Sequence, residues 1–332
     1  MFKVLLIIDS VREVLFRQIP HQTLEFNNCE FYINEEIQNP DFVFFFDQCP
    51  KDYQLFVNPK NVCLVTGEPP SVKFYSRKYT SQFNWLLSCQ KNVYKRHNGI
   101  CYFPLLPWLV GIRQIGTSLG NYAQNGILDY NYFANQNKID NDRLDKIAVI
   151  TSNKRITKGH RKRLDYIEKL SELLPGIIDK YGNGFKTIED KYEVYKKYKY
   201  ILVIENCQYS NYWTEKLSDA FLSNCYPFYI GAPNILDYFS SNSLTSLDYD
   251  AQKSALAIKH VMENQYYKSH FEDILASKDM ILDKYNMFVQ IANFVNSKFD
   301  NGERTMIWFK KYAPDIKSKI YWRLYNLFKI EF

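Results

Sequence analysis

Two segments of the chain decide its fold: Tyr200-Ile-Leu-Val-Ile-Glu-Asn-Cys-Gln-Tyr-Ser-Asn-Tyr-Trp-Thr-Glu-Lys-Leu-Ser-Asp-Ala220 and, shortly after it, Pro227-Phe-Tyr-Ile-Gly231. The first five residues are apolar on both faces, which predicts a buried strand of a parallel sheet. A polar loop follows, and Thr214 stands where the N-cap of a helix would. The second segment predicts the next buried strand. The order of strand, helix and strand is typical of a doubly wound α/β unit.

The same pattern extends to both sides of these segments. In the first third of the chain, short apolar runs alternate with polar connections, and after Gly111 the periodicity dissolves until Arg143, which indicates a domain boundary. From Tyr249 onward the pattern is mostly helical. We predict strands at 4–8, 42–46, 62–65, 85–87 and 146–151, and helices at 161–174, 189–198 and 214–223. The predicted domains are 1–143, 144–300 and a basic tail at 301–332.

Length and composition exclude several classes of protein. A chain of 332 residues suits two domains of about 150 residues each. Its 46% hydrophobic and 23% charged residues exclude a disordered or low-complexity scaffold. The net charge is +6, and residues 303–332, with seven Lys or Arg and three Asp or Glu, carry +4 of it. The near-neutral remainder argues against a nucleic-acid partner.

The cysteines and the apolar runs bear on the compartment. The seven cysteines are scattered, with no pair at CxxC or zinc-finger spacing, which favours a reducing, cytoplasmic location. No run approaches the roughly 18–20 apolar residues of a membrane span. In the tail, residues 315–329 combine one apolar helical face with several lysines and arginines. This face predicts either a peripheral contact with a membrane surface or a helix packed on the body.

The helix that begins at Thr214 carries the strongest chemical signal. The N-terminus of a helix offers free N–H groups and partial positive charge, which suit a diphosphate, and Lys216 would add a full charge. Glu215 could accept hydrogen bonds from both ribose hydroxyls of a nucleotide. The alternative is a capped helix with an acidic first turn and no ligand.

Four motifs in one order over about 90 residues resemble glycosyltransferase family 10, the α-1,3-fucosyltransferases. The family has a strand ending Phe-Glu-Asn-Ser, then Tyr-Val/Ile-Thr-Glu-Lys, then Pro-x-x-x-Gly. Here the matching residues are Glu205-Asn206, Tyr212-Trp-Thr-Glu-Lys-Leu217, and Pro227 with Gly231. Ser152-Asn153 with the helix positions Arg163, Tyr166 and Leu170, and Asp179-Lys-Tyr-Gly182, resemble its upstream motifs.

This resemblance implies a GT-B-type α/β fold, in which two doubly wound Rossmann-like domains face a cleft and helices follow at the C-terminus. It also implies a GDP-fucose donor, a glycan acceptor containing N-acetylglucosamine or galactose, and inverting transfer with no metal and no further cofactor. Carried over by position, the donor-site residues are Arg163 at the diphosphate, Asn206 and Tyr212 along the site, Glu215 at the ribose and Lys216 at the phosphates. Arg161 and Arg155 lie close enough in sequence to compete with Arg163.

An inverting transfer needs a base for the proton of the acceptor hydroxyl. Thr66-Gly-Glu-Pro-Pro70 follows a predicted strand, and the prolines end that strand abruptly. Glu68 therefore stands at its carboxyl end, in a context similar to that of the base proposed for the family. We expect Glu68 to be the catalytic base, and the alternative is an exposed loop glutamate.

Departures from the family pattern leave other interpretations open. Cys207 stands in place of the usual Ser, and Trp213 in place of a β-branched residue, which favours as an alternative a related transferase with a different nucleotide sugar. A non-catalytic protein that binds glycans or nucleotides on the same fold is the second alternative. Asp140-Asn-Asp142 matches the Asp-x-Asp metal motif of other glycosyltransferases, but it lies in the predicted linker, and three-residue matches are common by chance.

Overall fold

The computed structural model describes residues 1–10, 12–115, 122, 123, 126–155, 158–314, 320 and 323. The chain forms two compact units. The first contains residues 1–106, 209–212 and the chain from Tyr285, and the second contains residues 107–208 and 213–284. Each is built on a mainly parallel sheet, so the prediction of two Rossmann-like α/β units is confirmed.

Within the described residues, the strands and helices follow one another in short connections. The strands are β1 (Phe2–Ile7), β2 (Glu25–Phe26), β3 (Cys29–Ile33), β4 (Phe42–Phe46), β5 (Tyr53–Val57), β6 (Val62–Val65), β7 (Trp85–Ser88), β8 (Gly99–Cys101), β9 (Leu144–Ile150), β10 (Ile178–Tyr181), β11 (Tyr198–Ile204), β12 (Tyr226–Ile230), β13 (Thr245–Ser246) and β14 (Thr305–Phe309). The helices are α1 (Arg12–Phe16), α2 (Arg77–Thr80), α3 (Lys91–Tyr94), α4 (Tyr130–Ala134), α5 (Lys158–Leu173), α6 (Tyr192–Tyr195), α7 (Glu215–Leu222), α8 (Ala251–Glu263), α9 (Tyr266–Ser269), α10 (Phe271–Asp279) and α11 (Met287–Lys298).

The sheet of the first unit has seven strands in the order β2-β3-β1-β4-β6-β7-β8. All neighbours are parallel except β2 and β3, which form an antiparallel pair. The central strands β4 and β6 are buried along their whole length, as their continuous apolar sequences require. Because β4 and β6 are parallel, the residues that follow them lie at one edge of this sheet.

The second unit has a parallel five-stranded sheet in the order β10-β9-β11-β12-β13. Helix α5 packs against α8, and α7 packs against α10. The buried face of α5 is formed by Leu164, Ile167 and Leu170, at the spacing of an amphipathic helix. The loops after β9, β10, β11 and β12 therefore share the carboxyl edge of one sheet.

The predicted domain boundaries are corrected by the C-terminal part of the chain. Residues beyond Lys284 belong to the first unit and not to the second or to a separate tail. Strand β14 pairs antiparallel with β5, and α11 places Phe288 and Phe294 against the rings of Phe31 and Phe44. This return was missed because a pairing between segments some 250 residues apart leaves no local periodicity. At the other end, the second unit begins at Pro107 and not at Leu144, because the N–H groups of residues 109–111 bond to carboxylates of that unit.

The helix predicted at 189–198 is shorter than expected. It spans only Tyr192–Tyr195, and the strand β11 begins at Tyr198. The carboxylate of Asp190 accepts the N–H of Tyr192 at 2.8 Å, which fixes the start of the helix. Tyr198 is 2% exposed and pairs with Leu144, so the strand extends toward the N-terminus.

No helix among the described residues is long and apolar enough to cross a membrane. The tail at 315–329, predicted to contact a membrane surface or the body, lies outside the described residues except for Ile320 and Arg323. All seven cysteines carry free thiols, and four lie buried in the first unit: Cys29, Cys49, Cys63 and Cys89.

The pairing of β14 gives a test of the first unit's core. Phe309 is 0% exposed, and its ring centroid lies 4.8 Å from that of Phe45. Replacing Phe309 with Ala should lower the free energy of unfolding by about 3–5 kcal/mol, because it opens a cavity in the core. The matched control is Trp308→Ala on the outer face of the same strand, where 59% exposure predicts a change within about 0.5 kcal/mol. Urea denaturation measures both, and equal effects would contradict this packing.

Candidate active site

A buried carboxylate follows strand β11. Glu205 has a side chain with 0% exposure and accepts hydrogen bonds from Thr214, at 2.8 Å from the backbone N–H and at 2.8 and 3.0 Å from the hydroxyl. The ammonium of Lys216 lies 3.6 Å from the same carboxylate. Burial raises the pKa of Glu205, and the charge of Lys216 opposes that shift. These bonds close the loop 206–213 on itself, since they join its two ends.

Thr214 is the N-cap of α7, as its position in the sequence predicts. Its hydroxyl accepts the N–H of Lys216 at 3.4 Å. The first turn then presents Glu215 and Lys216, whose carboxylate oxygen and ammonium are 3.1 Å apart. Their side chains are 14% and 28% exposed, so both reach the surface while most of each is buried.

The charges around Glu215 keep its carboxyl group ionised. Burial alone would raise the pKa of Glu215, but the ammonium groups of Lys216 and Lys191 and hydrogen bonds from Lys216 and Thr214 outweigh burial and lower it to about 2. An ionised carboxylate accepts hydrogen bonds and donates none. At neutral pH this group can therefore accept two hydroxyl protons of a ligand.

Sequence reasoning missed Lys191 and its partner Asp219. The ammonium of Lys191 pairs with the carboxylate of Asp219 at 2.7 Å, and Asp219 has 0% side-chain exposure. The second oxygen of Asp219 accepts the N–H groups of Leu109 and Val110 at 2.9 and 3.0 Å. Asp219 thus anchors α7 one turn after Glu215. A buried-facing acid in the predicted helix 214–223 was the one available signal, and its distant partners carry no pattern.

The Pro-x-x-x-Gly motif has a steric cause. A Cβ at Gly231 would lie 2.1 Å from the hydroxyl oxygen of Tyr229 and 2.6 Å from Cγ of Glu205. That hydroxyl accepts the N–H of Ala232 at 2.9 Å. Only glycine lets the chain pass so close to the buried carboxylate.

Two upstream motifs meet at the same edge of the sheet. The N–H of Asn153 donates to the carbonyl of Asn183 at 2.9 Å, which joins the loop after β9 to the turn after β10. A Cβ at Gly182, which has φ +108°, would lie 2.2 Å from the carbonyl oxygen of Thr151. Gly182 is therefore required by both its backbone conformation and its neighbour.

Arg163 differs from the two arginines that compete with it. It is half-buried beside Tyr249, whose ring also packs edge-on against Tyr166 at 5.4 Å. Burial lowers the pKa of the Arg163 guanidinium, and its Nε has no hydrogen-bond partner among the described residues. By contrast, Arg155 is exposed and pairs with Asp165 and Glu168 at 2.7 and 2.8 Å. Arg161 is exposed and donates to the carbonyl of Arg155.

The loop 206–213 holds the remaining predicted donor residues. Asn206 is exposed directly after Glu205. Tyr212 is 1% exposed and groups with the first unit, so its ring is enclosed by protein, and its contact with a donor stays a prediction. Trp213 is 3% exposed and packs edge-on against the rings of Tyr238 and Phe239 at 5.6 and 5.3 Å.

Glu68 follows β6 in the first unit and is half-buried. The side-chain amide of Gln90 donates to the carbonyl of Glu68 at 2.7 Å. The residue therefore lies at the carboxyl end of a parallel strand, as predicted, and its backbone is held from a neighbouring strand's loop. Its role as a base is a separate matter that this position alone does not decide.

The Asp-x-Asp match is a turn. The carboxylate of Asp140 accepts the N–H of Asp142 at 3.0 Å, and Arg143 lies 3.7 Å away. Among the residues that the structure describes, no three His, Cys, Asp or Glu side chains are grouped as metal ligands would be. The predicted independence from metal stays a prediction.

Comparison with known proteins places these motifs in a family. Residues 141–278 match the model of "Glycosyltransferase family 10 (fucosyltransferase) C-term". Residues 141–278 are a family 10 domain. The α-(1,3)-fucosyltransferase FucT of Helicobacter pylori is 29% identical over 96 residues, which is 28% of this chain and 20% of the relative. The aligned part thus spans about a fifth of that relative's length.

Solved structures were compared over most of the chain. A crystal structure of an α1,3-fucosyltransferase with GDP-fucose is 17% identical with a TM-score of 0.48, over 85% of this chain and 90% of that one. WaaG, a glycosyltransferase involved in lipopolysaccharide biosynthesis, is 9% identical with a TM-score of 0.47, over 90% of this chain and 100% of that one. The resemblance found in the sequence is confirmed by the family 10 domain, which contains Arg163, Asn206, Tyr212, Glu215 and Lys216.

The cap of α7 gives a test of this site. Thr214→Val keeps the shape of the side chain but removes the hydroxyl that bonds both Glu205 and the N–H of Lys216. We expect the free energy of unfolding to fall by about 1–3 kcal/mol, because a buried carboxylate loses a donor and a helix loses its cap. Thr214→Ser keeps the hydroxyl and should cost less than about 1 kcal/mol. If urea denaturation shows Ser to be as costly as Val, the hydroxyl has no such role.

Proposed function

We propose that the protein transfers fucose from GDP-fucose to a hydroxyl group of a glycan, as an inverting α-1,3-fucosyltransferase-like enzyme. The observation that carries the proposal is the first turn of α7 within the family 10 domain. There an ionised Glu215 and the ammonium of Lys216 follow a capped helix N-terminus at the carboxyl edge of a parallel sheet. Ligands of open α/β sheets bind at this edge.

The donor is recognised by complementary charge. Lys216 and the N–H groups of the first turn of α7 suit the phosphates, since both carry positive charge. Arg163 suits the diphosphate: its half-buried guanidinium keeps an Nε–H that bonds to no described residue. Glu215 accepts the ribose hydroxyls, and Asn206 and Tyr212 line the site.

The reaction exchanges one bond to the anomeric carbon for another. The acceptor oxygen attacks that carbon on the face opposite to GDP, the bond from carbon to the phosphate oxygen breaks, and Glu68 takes the proton of the acceptor hydroxyl. The β-phosphate of the departing GDP gains negative charge. Lys216, Arg163 and the helix N-terminus stabilise that charge, so the proposal assigns no step to a metal ion.

The acceptor is a glycan with N-acetylglucosamine or galactose. This assignment rests on the family resemblance. A disaccharide of these two sugars offers hydroxyls of both and is a suitable first acceptor for assay.

Ligand binding tests the donor assignment. In a thermal-shift panel of GDP, GDP-fucose, GDP-mannose, UDP, UDP-sugars and CMP-sialic acid, we expect stabilisation by GDP and GDP-fucose. A ligand at 100 times its Kd adds about 2.7 kcal/mol to the stability of the folded state. The effect should be lost in Glu215→Ala, because the ribose loses its acceptor. Glu193→Ala, an exposed glutamate of the same unit, should keep it. Stabilisation by UDP compounds alone would show that the donor is a different nucleotide sugar.

The catalytic role of Glu68 has its own test. Glu68→Gln keeps the shape of the side chain and removes the proton acceptor, so we expect turnover to fall by about 10²-fold or more with little change in GDP-fucose affinity. Glu36→Gln, at an exposed position of the same unit, is the control. The assay follows GDP release with the disaccharide acceptor. Unchanged turnover in Glu68→Gln would remove Glu68 from the mechanism, and a wild type that binds GDP-fucose without transfer would be a binding protein.

A further inference from the structure

A second carboxylate lies next to Glu68 in the first unit. Asp47 directly follows β4, in the left-handed backbone region with φ +62°. One of its oxygens accepts the N–H of Gly67 at 3.2 Å and the hydroxyl of Tyr75, and the other pairs with the ammonium of Lys73 at 2.5 Å. Asp47 therefore holds the residue that precedes Glu68. A non-glycine residue in this backbone conformation is uncommon and persists where its surroundings require it.

Tyr75 connects this carboxylate to Glu68 itself. Its side chain is 0% exposed, and its hydroxyl donates to Asp47 and accepts the backbone N–H of Glu68. Burial, together with the charge of Asp47, raises the pKa of Tyr75 well above its ordinary value, so the hydroxyl keeps its proton. The hydroxyl can thus act as donor and acceptor at the same time.

Gln90 holds the other side of the same peptide. Its side chain is buried, and its amide donates to the carbonyl of Glu68 at 2.7 Å and to the carbonyl of Lys73 at 2.9 Å. Its own N–H donates to the hydroxyl of Ser88 at 3.0 Å. Both backbone polar groups of Glu68 are therefore bonded to buried side chains. The proline that follows restricts the backbone of Glu68 to extended conformations.

We infer that Asp47, Tyr75 and Gln90 form a frame of positioning residues that fixes the backbone of Glu68 and so the direction of its carboxylate. The inference rests on the proposed role of Glu68 as the base. Proton transfer requires hydrogen-bond reach between base and hydroxyl, and a displacement of about 1 Å can cost about 10²-fold in rate. The frame touches no substrate in this role and acts only through Glu68.

Removing one hydroxyl tests the frame. Tyr75→Phe keeps the ring in the core and deletes the atom between Asp47 and the N–H of Glu68. We expect kcat to fall by about 10- to 100-fold, while KM for GDP-fucose and for the disaccharide acceptor stays within about twofold.

A matched control stands one helical turn away. The hydroxyl of Tyr79 likewise accepts a backbone N–H, that of Cys49 at 2.8 Å, and Tyr79 is 4% exposed. Tyr79→Phe therefore loses a comparable buried hydrogen bond without touching Glu68. We expect the two variants to lose similar stability by urea denaturation, and only Tyr75→Phe to lose kcat.

Combining the variants separates positioning from a general loss of structure. In Glu68→Gln, which lacks the base, adding Tyr75→Phe should lower kcat by less than about twofold, because the frame then has nothing to position. An equal fall of kcat in both backgrounds, or equal kcat in Tyr75→Phe and Tyr79→Phe, would overturn the inference while the fucosyltransferase proposal stands. A wild type without transfer, or full turnover in Glu68→Gln, would overturn the role of Glu68 and the frame with it.

Discussion

A carboxylate that is taken out of water must find hydrogen-bond donors within the protein, and Glu205 depends on this requirement. Its donors come from Thr214, nine residues further along the chain. The intervening loop is therefore closed by the buried group and not by its own sequence. The same bonds determine where α7 begins, and hence where Glu215 and Lys216 stand. Gly231 is the steric counterpart, since no larger residue leaves room for Glu205.

A second buried carboxylate secures the same helix one turn later. Asp219 is satisfied by Lys191 and by two backbone N–H groups of the segment at 109–110. With both carboxylates in place, two ammonium groups, those of Lys191 and Lys216, remain close to Glu215 and keep its pKa near 2. The first turn of α7 thus carries a negative charge between two positive ones. An arrangement of this kind suits a ligand that has both phosphates and hydroxyl groups.

What the sequence predicts well is what a short window contains. The apolar strands, the cap at Thr214, the exposed Asn206 and the place of Glu68 after β6 all follow from patterns of a few residues. Lys191, Asp219 and Tyr75 escaped because their roles are defined by partners 20 to 110 residues away. The strand β14 escaped for the same reason: its partner β5 lies in the first third of the chain. Tyr212 shows the reverse error, since a motif position suggested a contact surface and the ring is enclosed.

Both units solve one problem in the same way. In each, a carboxylate that follows a central parallel strand bonds to backbone N–H groups and hydroxyls nearby: Glu205 after β11 and Asp47 after β4. Neither is the group proposed to meet substrate; each holds the peptide that carries such a group. The C-terminal return contributes as well, because the ring of Tyr312 lies 4.2 Å from the ammonium of Lys73, the partner of Asp47. Groups held in this way are ordered before a ligand arrives, so binding and proton transfer need little further reorganisation.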